Sequence, residues 1–409
     1  MQIIQLEKII GVIRPSGLNI FLSIKTMRKR LLYLLLFFLF NVLNKNCQAQ
    51  RYNLFSNIGE SAFLDAKTHI GKPIRYSDSL NYSLNNPFTA IDLRFGINSF
   101  GRTPQDEFLK YPNYGIGITH YYMNSDTIGN PIGIYGFFGS PFLVHNSKLH
   151  LGWELATGFS YNFNKFDLIT NPKNDIIGSD INVYFNMSLW AAFKVSERLD
   201  VLLTSDFTHF SNGTINTPNK GLNLLGGNVG MRYHFQFEKK ELESFTRKTT
   251  ADKTFKPFEP YNEILVWMGM GGKAVMNATY DGPVHLCSSV STDFNHRYGW
   301  IGKYGIGADL FFDGSLEADF PNEDNIPVTR FMFVGIHGNH EFIVGNFSLA
   351  TQVGFYVWKG MHAKGNFYIR AALKYDFTEH FFLNLSLKSV NGLKADYIET
   401  GFGYKLKFK

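Results

Sequence analysis

Apolar and polar residues alternate with a period of two through most of the chain. From Leu199 to Ser211 the odd positions hold Val201, Leu203, Phe207, His209 and Ser211, and the even ones Asp200, Thr204, Asp206 and Thr208. Successive side chains of a strand point to opposite faces, so this segment predicts a strand with one apolar side. Asp180 to Phe193 repeats the pattern, with Ile181, Val183, Phe185, Met187 and Leu189 against Asp180, Asn182, Asn186 and Ser188. Ile91 to Asn98, Asn366 to Asp376 and Leu383 to Lys388 do the same. A lipid-like face paired with a polar one is the signature of an antiparallel transmembrane β-barrel, whose polar face should accept a charge more readily than its apolar one. A soluble β-sandwich also alternates, and the decision between the two comes from the rest of the sequence.

The strongest apolar run, Leu31 to Leu43, follows Arg28, Lys29 and Arg30 and precedes Cys47, Gln48 and Ala49. At about 13 residues it is short of the roughly 20 that a membrane helix needs, and its flanks are those of a signal peptide. The expected export segment therefore runs from Met27, with cleavage after Ala49 or Gln50, and residues 1–26 read as an upstream extension. Export to the bacterial outer membrane fits 40 Phe, 21 Tyr and 38 Gly, the material of aromatic girdles and tight turns. Of the 40 basic and 34 acidic residues, seven and one lie in residues 1–50, which leaves 33 of each. The net charge of +6 thus resides in the leader, and it points to no nucleic-acid partner. Cys287 is the sole cysteine beyond the leader, so neither an intramolecular disulfide nor a Cys-based zinc site is expected.

Beyond residue 50 the chain echoes itself. Asn113-Tyr114-Gly115-Ile116-Gly117-Ile118 returns as Lys303-Tyr304-Gly305-Ile306-Gly307-Ala308. Gly230 to Phe235 returns as Gly403 to Phe408, and Ile181 to Gly213 resembles Asn366 to Gly392. Between the copies lies EKKELESFTRKTTADKTFKPFEP, Glu238 to Pro260, charged and without strand periodicity. The expected organisation is a first barrel unit over residues 51–237, a periplasmic linker over 238–260 and a second, degenerate unit over 261–409. Each unit supports about eight strands; the alternative is one barrel of about sixteen.

The chemistry concentrates at Thr208-His209-Phe210-Ser211-Asn212-Gly213, followed by Thr217-Pro218-Asn219-Lys220-Gly221-Leu222-Asn223. This stretch, within Ser205 to Phe235, resembles the lipid A 3-O-deacylase family, outer-membrane barrels of the PagL type, and among them the longer acyloxyacyl hydrolases of Bacteroidetes. The resemblance implies an ester hydrolase acting on lipid A or lipopolysaccharide, in which Ser211 attacks the ester carbonyl and His209 takes its proton. Positions i and i+2 of a strand lie about 7 Å apart at Cα, within reach of an imidazole. Asn212, Asn219 and the Gly213 backbone are candidates for stabilising the oxyanion. One position departs from the family: its third catalytic member is a Glu, and Asn223 stands there. Asn223 shares the apolar parity of Leu225, Val229 and Met231 and is placed to bond the imidazole, but it brings no negative charge. Asp206 is a substitute acid only if the strand is irregular.

In the second copy the matching stretch, Lys388-Ser389-Val390-Asn391-Gly392, lacks a histidine and reads as non-catalytic. His337, His340, Glu341 and His362 have no metal spacing and read as solvated residues near turns. No cofactor is called for. A non-enzymatic barrel, structural or a narrow pore, that keeps a deacylase scaffold is the competing expectation.

Overall fold

The computed structural model describes residues 62–74, 86–99, 103–142, 148–235, 257–275, 282–320, 325–361, 365–391 and 394–409. The expected leader and nearly all of the expected linker lie outside the described residues.

Sixteen strands close into two separate barrels of eight, which excludes the single sixteen-stranded alternative. The first comprises β1 (Ala62–Pro73), β2 (Phe88–Asn98), β3 (Asn113–Tyr122), β4 (Gly129–Pro141), β5 (Leu149–Phe163), β6 (Asn182–Lys194), β7 (Leu199–Ser211) and β8 (Leu222–His234). One short helix, α1 (Pro104–Phe108), sits between β2 and β3, capped by the Thr103 side chain. The second comprises β9 (Tyr261–Ala274), β10 (Val284–Arg297), β11 (Gly302–Asp313), β12 (Met332–Val344), β13 (Phe347–Lys359), β14 (Phe367–Asp376), β15 (Phe381–Val390) and β16 (Lys394–Phe408). Neighbours in sequence pair antiparallel, and each sheet is sealed by its first and last strands, Asp65 facing Arg232 and Ile264 facing Leu406. The echoed segments fall on equivalent strands: the third of each barrel, the sixth and seventh, and the eighth. No described helix is long and apolar enough to cross a membrane. The strands do the crossing, since closure pairs every ladder amide and carbonyl.

The sequence parity is realised in both barrels. Leu203, Leu225, Val229, Val353 and Phe402 face outward and stay exposed, while the alternate positions are buried inside. Those interiors are packed with charge. In the first barrel Arg232 clasps Asp65 at 2.7 and 2.9 Å, and Arg94 bridges Asp92 at 2.9 Å and Glu154. His69 lies 3.1 Å from Asp206 and 3.5 Å from Asp92. In the second, Lys303 sits between Glu263 and Glu341 at 2.5 and 2.8 Å, and Arg370 between Asp309 and Glu399 at 3.0 and 2.9 Å. Eight strands enclose about the volume that side chains fill.

One expectation is corrected by this packing. His337, His340 and Glu341 are not turn residues: they lie on β12, with His337 buried between Asp293 at 2.5 Å and Asp309 at 2.7 Å, and Glu341 bonded to Lys303 and Lys374. His362 lies outside the described residues. On the lumen face Thr208 is buried against Asn186 at 2.9 Å and Tyr121 at 3.3 Å.

Removing one partner of a buried charge cluster costs more than trimming a lipid-facing side chain. Arg370→Leu leaves Asp309 and Glu399 without their shared cation and is expected to destabilise the folded protein by about 3–5 kcal/mol. Val353→Ala is expected to change it by on the order of 0.5 kcal/mol. Urea titration of the folded, heat-modifiable form checks both; equal midpoints would show that the inner network does not hold the barrel.

Candidate active site

The site grows from the alternation of β7 and from the turn that follows it. His209 and Ser211 occupy two successive outward positions at the end of β7, and the hairpin register sets His209 directly opposite Asn223 on β8. Directly paired strand residues bring their Cβ atoms to about 5 Å, close enough for the short amide to reach the ring. His209 Nδ1 and Asn223 Oδ1 are 2.5 Å apart. Since a carboxamide oxygen only accepts, Nδ1 carries the proton and donates it, and Nε2 keeps the lone pair. On the other side of His209 the facing residue is Phe185, and Ser211 faces Val183. Ser211 is largely covered, and its hydroxyl makes no hydrogen bond among the described residues.

The loop from Asn212 to Gly221 folds over this pair. Gly221 has φ +75°, and a Cβ there would lie 2.8 Å from His209 Cε1, so only glycine lets the backbone pass the imidazole at this distance. Asn219 Oδ1 accepts from the Asn212 amide at 3.0 Å, and Asn219 pairs with Ile177 in an isolated bridge that ties the loop to the β5–β6 connection. Asn212 is buried, and its Nδ2 donates to Ser179 Oγ at 2.9 Å. Asn212 thus has a structural task, whereas the amide of Gly213 and Nδ2 of Asn219 make no hydrogen bond among the described residues. Gly213 and Thr214 both have positive φ, +61° and +67°. For a β-branched residue such as Thr214 this conformation costs about 1–3 kcal/mol and persists only where neighbours enforce it.

Asp206 is not part of the arrangement. The β7–β8 register runs without interruption, so Asp206 points into the lumen, where it accepts from Asn228 at 3.0 Å. Ser389 sits at a bulge on β15, buried, with Ile369 and Ala395 as its cross-strand neighbours. Among the described residues no group of three His, Cys, Asp or Glu is placed to hold a metal ion. Two residues of the site, Gly221 and Ser179, were not expected from the sequence. The first could have been noted as a glycine two residues before Asn223; the second is joined to the site only by folding.

No curated protein matches the chain. Among solved structures, Neisserial surface protein A is 12% identical, covering 42% of this chain and 96% of its own, with a TM-score of 0.27. The Acinetobacter baumannii outer membrane protein Omp33 is 9% identical over 85% of this chain and 98% of its own, with a TM-score of 0.17. A mutant of the Rh. blastica porin is 8% identical over 84% and 100%, with a TM-score of 0.19. The family model for lipid A 3-O-deacylase (PagL) matches residues 89–232, and that for the acyloxyacyl hydrolase C-terminal domain matches residues 262–408. Together they cover most of both barrels: the chain belongs to the PagL family of lipid A deacylases, barrels of the bacterial outer membrane.

Proposed function

We propose that the first barrel hydrolyses an ester-linked 3-hydroxyacyl chain of lipid A through Ser211 and His209, after export directed by Met27 to Gln50. The observation that carries this reading is the 2.5 Å contact of His209 Nδ1 with Asn223 Oδ1 on the membrane-facing side of β7. It fixes the tautomer in which Nε2 is the base, on a face where the substrate is the surrounding lipid.

In the reaction, Ser211 Oγ attacks the acyl carbonyl while Nε2 of His209 takes the hydroxyl proton. The negative charge that develops on the carbonyl oxygen is met by the Gly213 amide and Asn219 Nδ2. Collapse breaks the bond to the sugar oxygen, which leaves with the proton from Nε2. Water, deprotonated by the same nitrogen, then attacks the acyl-serine; the bond to Ser211 Oγ breaks, Oγ takes the proton back from Nε2, and the fatty acid is released. Asn223 holds the Nδ1 proton throughout. An Asn in place of a carboxylate harms a serine triad in two ways, by the wrong tautomer and by the missing charge. Here the amide oxygen faces Nδ1, so only the second applies. Asn223 is also what favours the competing reading, a folded barrel of this family without activity; the packed lumens supply no argument for a pore.

The test is release of 3-hydroxy fatty acid from lipid A by folded protein in detergent. Ser211→Ala and His209→Ala are each expected to lower the rate by about 10³-fold or more, and the double variant no further, because the pair acts as a unit. Ser389→Ala is expected to match wild type. Losses that add, or a Ser211→Ala enzyme that still works, would assign the chemistry elsewhere.

Asn223→Glu restores the charge beside the imidazole and is expected to raise kcat about tenfold, equivalent to about 1.4 kcal/mol. No hydrolysis by wild type or by Asn223→Glu would favour the inactive scaffold. Gly221→Ala drives a methyl group into His209 Cε1 and is expected to lower kcat about 10- to 100-fold with the barrel still folded; unchanged kinetics would place the working imidazole away from this loop.

A further inference from the structure

The Gly213–Thr214 turn, two residues beyond Ser211, is not held by the first barrel alone. Three contacts fasten it to the upper ends of β9 and β16. Ile398 packs its Cγ1 and Cδ1 directly on Gly213, where any Cβ would overlap them. Thr214 Oγ1 lies within hydrogen-bond distance of two carbonyls, that of Asp396 and that of Gly213 at 2.6 Å, and shares its one proton between them. The Thr214 carbonyl accepts from the Ala274 amide at 2.8 Å. Asp396 is itself anchored, its two carboxylate oxygens each 2.6 Å from a lysine, Lys273 and Lys388. The left-handed conformation of Thr214 needs such enforcement, since a β-branched residue does not adopt it unconstrained.

We propose that the second barrel completes the hydrolase site: Ile398, Ala274 and Asp396 are positioning residues that lock the Gly213–Thr214 turn and so aim the Gly213 amide at the oxyanion formed on attack by Ser211. The inference rests on Ser211 being the nucleophile. It gives the second copy, whose stretch matching the His209–Ser211 motif lacks a histidine, a task in the chemistry of the first. An oxyanion donor works by being fixed before the charge develops; the turn's own closure is one long bond, from the Ile215 amide to the Asn212 carbonyl at 3.4 Å, and the second barrel adds the contacts that hold it.

The experiment uses the full-length protein in detergent, with two readouts: kcat and KM on lipid A, and the rate at which a fluorophosphonate labels Ser211, since that reaction draws on the same oxyanion donors. Thr214→Val and Ile398→Ala are expected to lower both kcat and labelling about 10- to 100-fold, with KM within about twofold. Thr214→Ser, which keeps the hydroxyl, is expected to recover both, and Val353→Ala, on the outward face of β13, to match wild type. Thr214→Gly adopts the turn without strain and lacks the hydroxyl, so it is expected to lose rate even if Thr214→Val fails to fold.

Folded Thr214→Gly and Ile398→Ala proteins that label and turn over at the wild-type rate would overturn the proposal. So would a rise in KM alone, which would make the second barrel a binding surface. Wild-type protein that hydrolyses lipid A but is never labelled at Ser211 would overturn the underlying assignment of the nucleophile instead, and the proposal with it.

Discussion

A chain that crosses hydrocarbon must satisfy every backbone amide and carbonyl within itself, and strands can do so only by closing a sheet. Closure dictates the alternation: one side of every strand meets lipid and the other meets the lumen. With eight strands the lumen is too narrow to stay open, so its polar side chains must neutralise one another. That is the origin of the paired charges, Arg232 with Asp65 and Arg370 with Asp309, each joining strands that are distant in the sequence. The outer surface carries the opposite demand. There a polar pair has no network to join, and His209 with Ser211 is an exception that an inward-facing pair would not be.

This constraint also explains where the proposed chemistry sits. An ester of a membrane lipid reaches a barrel from its side, and the proposed function puts the end of the β7–β8 hairpin at the depth of that ester. The strand gives His209 and Ser211 a common face, β8 supplies Asn223 at the right register, and the loop with Gly221 closes over the ring. Asn219 belongs to that loop and is braced against the β5–β6 connection through Ile177. Rigid strands thus set the proposed base and nucleophile, while loops braced by their neighbours set the groups proposed to surround the carbonyl.

The parity of β7 and β8 was legible in the sequence, because a period of two is a local property; residue order alone put His209, Ser211 and Asn223 on one face. The repeat of Tyr-Gly-Ile-Gly at Tyr114 and Tyr304 marked the third strand of each barrel for the same reason. What lay beyond the sequence depends on contacts between distant segments. His337 looked like a turn residue because its partners, Asp293 and Asp309, stand on two other strands. Asp206 looked available until the register fixed its direction. Ile398 offers no chemistry of its own to single it out, and only folding brings it against Gly213.

The central claim is that an outward-facing serine, served by a histidine whose tautomer an asparagine holds, cleaves an acyl ester of the surrounding membrane. The most direct test is the mass spectrum of lipid A from outer membranes of cells producing either the wild-type protein or Ser211→Ala at equal levels of folded barrel. Lipid A lighter by one 3-hydroxyacyl chain with wild type, and intact with Ser211→Ala, is the predicted result. Identical lipid A in the two samples would contradict the account.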